Sequence, residues 1–269
     1  MRPVRALERR DVAAAAALSA DAGWNQTPGD WIKLLKLAPE TCFGIECDGQ
    51  LAATITLLCY GDKLAWLGMV LTHRRCRGRG FARALLQHAL EVADKRRIEA
   101  IKLDATDQGQ PIYEKMGFRV EQIVQRWSGA PAVSVSTASR SAASLPAELA
   151  ELDRNAFGTD RAALLEILAE ESQLSLTSRG FLFHRAGLRA SYLGPCVAES
   201  AADADLLIRA ALPKAEHWYW DILATNKRAE RLAAAFGFNV ERKLRRMLRG
   251  KEQKQDNERI YAIAGFELG

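Results

Sequence analysis

Apolar positions along the chain recur at two spacings, and the switches between them outline the secondary structure. The opening residues read as a first strand. DVAAAAALSADAG and GDWIKLLKLA then repeat apolar residues at helical spacing, with Asp30 placed as a helix cap. In TCFGIECDGQLAATITLLCYGDKLAWLGMVL the pattern becomes strand-like, divided into three runs by the turn pairs Asp48-Gly49 and Gly61-Asp62. A helix is predicted over residues 81–97, with Phe81, Leu85, Ala89 and Val92 facing a sheet. The order β-α-α-β-β-β-α-β-α-β implies an α/β (α+β) architecture, a mixed sheet with helices on both faces. Three consecutive strands before the glycine-bearing turn RRCRGRGF exclude a doubly wound parallel nucleotide fold.

The pattern also repeats. IKLDATDQGQPIYEKMGFRVEQIVQRWSG (101–129) reads strand, loop, short helix, Gly-Phe, strand, and WYWDILATNKRAERLAAAFGFNVERKLRRMLRG (218–250) restates that order. Asp104 and Asp221 end the apolar runs, and Gly117-Phe118 and Gly237-Phe238 close the helices. The offset, about 120 residues, is domain-sized and too long for a solenoid. Two related domains in tandem follow, each a mixed, mostly antiparallel sheet flanked by helices. The small, polar stretch SGAPAVSVSTASRSAAS (128–144) has linker composition and sets the division at 1–139 and 140–269. Within it AVSVSTA alternates like a strand, so a last strand of the first domain is the competing reading.

Composition narrows the function classes. Hydrophobic residues at 48% and charged residues at 26% are globular values. The net charge of +5 is spread among 33 acids, which suits a small polyanion better than a nucleic-acid surface. Cys42, Cys47, Cys59, Cys76 and Cys196 form no CxxC pair and have no histidine-rich partner. Neither a disulfide framework nor a metal site is expected, and a cytoplasmic setting is. The arginine-then-alanine start imitates a signal peptide, but Glu8 and Asp11 interrupt it, and no window is apolar enough for a membrane span.

RRCRGRGF lies between an apolar strand (66–71) and the amphipathic helix. A helix start leaves backbone N–H groups unpaired and partly positive. Gly78 and Gly80 let that backbone approach a ligand, with arginines as outer clamps, so the turn suits a diphosphate. A solvated charged loop and a minor-groove peptide are the competing readings.

Arg75-x-x-Gly78-x-Gly80 resembles the Q/R-x-x-G-x-G/A signature of the GNAT superfamily of N-acetyltransferases, and LDATDQGQPIYEKMGF resembles that family's following segment. The resemblance covers the first half and implies acetyl-CoA as co-substrate. It implies that Arg75, Cys76, Arg77, Gly78, Arg79, Gly80 and Phe81 hold the cofactor, together with Met69, Val70 and Leu71, whose backbone N–H groups would stabilise an oxyanion. It makes Tyr113 the candidate general acid and places the acceptor beside Trp24, Asn25 and Gln26 of GWNQT (23–27). Direct attack by a primary amine is implied, with no cysteine nucleophile. A lysine-like amine is neutral in only about one molecule in 2500 at pH 7, a handicap of about 4.6 kcal/mol unless a base assists. The fourth strand carries no Asp or Glu, so the family's usual carboxylate position is empty. Asp104 is the candidate base, with a turn-capping role competing; His73 is a weaker alternative.

The second half keeps the frame without the chemistry. YLGPCVAESAADADLLIRAAL has no G-x-G, places Glu199, Asp203 and Asp205 around the helix start, and Ala233 stands where Tyr113 does. It resembles the degenerate C-terminal domain of bacterial tandem-GNAT proteins. The expectation is an N-acetyltransferase with one active site, a small-molecule amine acceptor, no metal, no nucleic-acid or membrane partner, and a monomeric or homodimeric state. A catalytically weak acyl-CoA-binding or sensory protein and a protein-lysine acetyltransferase are the alternatives.

Overall fold

A computed structural model describes residues 3–131 and 140–269; the stretch AVSVSTA lies outside them. The first half runs β1 (Val4–Ala6), α1 (Val12–Asp21), α2 (Pro28–Leu37), β2 (Cys42–Cys47), β3 (Gln50–Tyr60), β4 (Leu64–Thr72), α3 (Phe81–Lys95), β5 (Ala100–Ala105), α4 (Gln110–Glu114) and β6 (Arg119–Gly129). The second runs β7 (Arg140–Ala142), α5 (Ala147–Phe157), α6 (Ala162–Glu171), β8 (Gln173–Thr177), β9 (Gly180–Arg185), β10 (Ser191–Ala198), α7 (Ala201–Ala211), β11 (Trp218–Leu223), α8 (Lys227–Ala235), β12 (Asn239–Gly250) and β13 (Ile260–Ala262). The three strands expected after α2 form, and Asp48 (φ 55°) and Gly49 (φ 77°) make the tight first turn.

Two local expectations change. Thr27, not Asp30, caps α2: the Thr27 hydroxyl accepts from Asp30 N–H, and the Asp30 carboxylate accepts from Thr27 N–H at 2.8 Å. Helix α3 buries Leu85, Leu86, Ala89, Leu90 and Ala93, whereas Phe81 and Val92 are only half-buried. The sheet-facing stripe is therefore rotated from the one the spacing suggests.

The larger surprise is the sheet. The halves do not build separate sheets; the described residues share one of 13 strands, ordered β1-β2-β3-β4-β5-β12-β6-β11-β10-β9-β8-β7, with β13 paired to β10. The last long strand of each half has crossed into the other. Strand β12 lies against β5, β6 lies against β11, and the exchanged strands pair with each other down the middle.

The exchange is locked by two matching buried ion pairs. Asp104 on β5 faces Arg246 on β12, with both guanidinium nitrogens donating at 2.9 Å. Asp221 on β11 faces Arg126 on β6 at 2.8 and 2.6 Å. The Arg246 guanidinium also lies 4.5 Å over the Trp66 ring, and Arg126 stacks on Tyr219 and Phe266. A pair of this kind is costly to desolvate but far costlier to break on one side, so it selects this strand order. One hydrophobic core then spans both halves, joining Trp31 and Leu34 of α2 and Trp66 of β4 to Phe157 of α5 and Leu164 of α6. On the opposite face, α3 packs on β2–β4 with Phe118.

His184 on β9 carries a pH dependence. Burial, with Lys214 nearby, pushes its imidazole down to about 4, and its ring meets Trp218 edge-on at 5.7 Å. The folded-state pKa is depressed, so this contribution is fully present above the unfolded value near 6.5 and is lost as pH falls toward 4. It amounts to about 3 kcal/mol. Urea midpoints measured between pH 7 and 4 should fall less steeply in His184→Phe than in the wild type; parallel curves would refute this.

Candidate active site

The turn between β4 and α3 has the form of an anion cradle. His73 Nδ1 accepts from Arg75 N–H at 3.3 Å and opens a single 3-10 turn over Arg74–Cys76. Gly78 and Gly80 follow with φ of 76° and 80°, left-handed values that favour glycine. A Cβ at either would meet nothing within 4 Å, so the backbone fronts open space. Gly80 is the N-cap of α3, no side chain caps that helix, and no acid stands in its first turn. Its first N–H groups therefore remain free for a ligand. Arg75, Arg77 and Arg79 are exposed around them; Arg77 Nε reaches only the Thr72 carbonyl at 3.4 Å, and Arg79 the Cys47 thiol at 3.4 Å. Cys76 and Phe81 are half-buried at the two edges of the turn.

A wedge opens beside this cradle. Strands β4 and β5 pair in parallel only from Leu64 with Ala100 to Trp66 with Lys102; beyond Trp66 no β5 residue is in register with β4. Strand β4 bends there at a bulge, where the register against β3 shifts and Met69 takes φ 49°. The Met69 carbonyl is held by the Thr54 hydroxyl at 2.8 Å. The expected cofactor residues Met69, Val70 and Leu71 thus lie on the splayed edge, a few residues before the glycine turn.

Tyr113 lies on α4, which follows β5, and packs against the α3-side core. Its ring packs edge-on against Phe118 at 6.0 Å, and burial pushes its phenol up to about 12. Such a phenol is a reluctant acid toward a thiolate of pKa about 8.5. Donation of a hydrogen bond is the chemistry this position supports.

The residues expected on the acceptor side divide. Trp24 packs against the shared core. Asn25 is buried and fastens the halves together: its Oδ1 accepts from Arg189 N–H (2.8 Å) and Ala190 N–H (3.1 Å), and its Nδ2 donates to the Ala190 carbonyl (3.0 Å). An amide so fully engaged is a bracket, not a free contact for an acceptor. Gln26 reaches the cleft between the halves, donating to Glu267 Oε2 at 3.0 Å, and the engaged Asn25 lines the same small cavity. Asp104, the expected base, is wholly buried in its clamp with Arg246; burial pushes its carboxyl up and Arg246 pulls it down. Both carboxylate oxygens are committed to the guanidinium, so this geometry assigns Asp104 to strand exchange rather than proton transfer.

The sequence reading missed the segment 263–269, which lies across β4. Trp66 Nε1 donates to the Phe266 carbonyl (2.8 Å), Tyr60 Oη to the Leu268 carbonyl (2.6 Å), and Arg161, paired with Asp153, to the Gly269 carbonyl (3.1 Å). Asp153 and Arg161 thus have a structural task, and Asp160, just ahead of α6, accepts from Ala162 N–H at 2.8 Å.

In the second half the corresponding places are filled. Ser200 caps α7 by accepting from Asp203 N–H, and the Asp203 carboxylate accepts from the Ser200 hydroxyl. The matching parallel pairing, Ser191 with Trp218 to Leu193 with Trp220, also stops after three residues. Strand β13 occupies the gap beyond it, pairing with β10, while Ile263 N–H donates to the Asp221 carbonyl at 3.1 Å. Ala233 is buried in the second core.

A strand wedge facing an uncapped, glycine-fronted helix start, formed once in a pseudo-symmetric pair of α/β halves, is the framework of an acyltransferase. The family model described as Acetyltransferase (GNAT) family matches residues 12–118, and one described as Acetyltransferase (GNAT) domain matches 149–262. The chain belongs to the GNAT acetyltransferase family and carries two such domains in tandem. It is 26% identical to Holothin acyltransferase of Pseudoalteromonas sp. (strain SANK 73390) over 91% of this chain and 87% of that protein. It is 25% identical to the uncharacterized N-acetyltransferase YitH of Bacillus subtilis (strain 168) over 98% of this chain and 97% of that protein. Among solved structures, a putative acetyltransferase from Pyrococcus horikoshii superposes with TM-score 0.90 at 23% identity, covering 99% of this chain and 95% of that one. Among the described residues no helix is long and apolar enough to cross a membrane, and no group of three or more His, Cys, Asp or Glu side chains is arranged to hold a metal.

Proposed function

We propose that the chain transfers an acetyl group from acetyl-CoA to the primary amine of a small-molecule acceptor at one site in its first half. The observation that carries this reading is the free start of α3 behind Gly78 and Gly80, opening on the unpaired edge of β4. The first N–H groups of α3, with Arg75, Arg77 and Arg79, would hold the diphosphate of acetyl-CoA, whose thioester supplies the activated acetyl group. The splayed edge at Met69, Val70 and Leu71 offers N–H donors for the oxyanion, and Tyr113 a hydrogen bond to the departing sulfur. A small acceptor is favoured because the second half closes over the cleft through Asn25 and the 187–190 loop. None of the five cysteines forms a disulfide in the described structure, and a reducing cytoplasm is the setting we propose.

The test is release of free thiol from acetyl-CoA, and from longer acyl-CoAs, across a panel of primary amines. Holothin belongs in that panel because of the relative named for acylating it. Tyr113→Phe should lower the turnover rate by about 10- to 100-fold with little change in acetyl-CoA affinity. Tight acetyl-CoA binding with no thiol released from any amine would favour the sensory alternative.

A further inference from the structure

Strand β4 lacks a carboxylate, but the segment 263–269 brings the buried Glu267 against it. Gly68 directly precedes the bulge at Met69, and a Cβ there would meet Glu267 Cα at 3.0 Å. Glu267 is 6% exposed, with Gln26 donating to its Oε2. It lines a cavity of about 10 Å³ together with Gln26, Asp30, Arg126, Arg185 and Tyr192. That space is about one water, the size of a primary ammonium head.

The charges around this cavity leave Glu267 the least committed. Arg126 is clamped by Asp221, and Tyr192 donates to Asp221 at 3.0 Å. Arg185 spends its terminal nitrogens on the Gly194 and Ala264 carbonyls, both at 2.8 Å, and comes no nearer to Glu267 than 3.9 Å. Asp30 is occupied by Lys33 at 3.2 Å and by the cap of α2. Gln26 Oε1 has no hydrogen-bond partner, an orphaned acceptor beside the carboxylate. An anion and a bare carbonyl oxygen converging on a water-sized space next to the β4 bulge fit a donor-rich cation.

We propose that Glu267, contributed by the second half, takes the proton from the ammonium form of the acceptor, with Gln26 orienting both. This rests on the acetyltransferase reading above and adds an acceptor class, unhindered alkyl primary amines that are protonated at neutral pH. The step balances: R–NH3⁺ gives one proton to the Glu267 carboxylate and becomes R–NH2, whose lone pair forms the C–N bond as the C–S bond breaks. The remaining excess N–H proton passes to the leaving thiolate, and Glu267 returns its proton to solvent. Burial raises the Glu267 carboxyl, Arg185 opposes, and Asp30 reinforces, which brings this base closer to neutral pH than a free glutamate.

The experiment is the pH–rate profile of thiol release from acetyl-CoA with tyramine and spermidine as acceptors. Wild type should plateau once Glu267 is ionised. Glu267→Gln should fall by about 100-fold at pH 7 and climb about tenfold per pH unit toward the amine's own pKa, with acetyl-CoA affinity unchanged. Glu267→Asp should restore the plateau in part. A Gln variant whose profile keeps the wild-type shape, merely scaled down, overturns the proposal and leaves the acetyltransferase reading intact. So does a wild-type profile that itself climbs through the alkaline range without a plateau, a result needing no variant to fold. If no amine is turned over by wild type, the acetyltransferase reading falls and this proposal with it.

Discussion

Asp221→Ala is expected to cost about 3–5 kcal/mol of stability, the largest loss from any single side chain outside the cores. The carboxylate is wholly buried and accepts from two nitrogens of Arg126 and from Tyr192. Removing it strands a guanidinium enclosed by Tyr192, Tyr219 and Phe266. Asp104→Ala should behave alike through Arg246, because the two pairs occupy matching places in the exchanged strands. The surface pair Arg96–Glu40, at 2.8 Å but exposed, should change by under about 1 kcal/mol when broken. Replacing both partners together, Asp221→Leu with Arg126→Met, should recover most of the loss, since the clamp's desolvation cost disappears with it. Urea denaturation of the single and double variants reads all of this directly. Comparable losses at the surface and buried pairs would refute the lock.

Gly80→Asp is expected to weaken acetyl-CoA binding by on the order of 100- to 1000-fold, the repulsion of one carboxylate held about 4 Å from a phosphate. The fold should survive: a side chain there meets no neighbour, and the left-handed backbone costs about 1 kcal/mol. Gly80→Ala carries the same backbone cost without the charge and should bind far better than the aspartate. Thermal shift with and without acetyl-CoA separates stability from affinity. Equal affinity for the Ala and Asp variants would mean that charge at this point is irrelevant, and the cradle with it.

Features that local pattern creates are legible in the sequence. The three strands 42–72, the glycine turn and the repeated Gly-Phe frame each follow from short-range spacing, and the structure reproduces them. The strand exchange was not legible, because β6 and β12 alternate charged and apolar residues identically whichever neighbour they join. Asp104 and Asp221 stood out as the acids ending each apolar run, yet their partners lie 142 and 95 residues away. Asn25 looked like a ligand contact because polar residues in loops usually are; its amide instead happens to match the backbone of the 187–190 loop. Glu267 gave no signal at all. One acid in GFELG resembles any surface glutamate until the fold buries it against Gly68. A single glycine-fronted helix start is legible because Gly78 and Gly80 have no counterpart at α7, whereas the plugging of the second wedge by β13 depends on a contact that no motif encodes.

The proposed function gives the two related halves a single acetyl-CoA site, in the first half. Calorimetric titration of the intact chain with acetyl-CoA measures it most directly. One molecule bound per chain, with the heat abolished in Gly80→Asp, is the predicted result. Two molecules per chain, or full binding by Gly80→Asp, would contradict it.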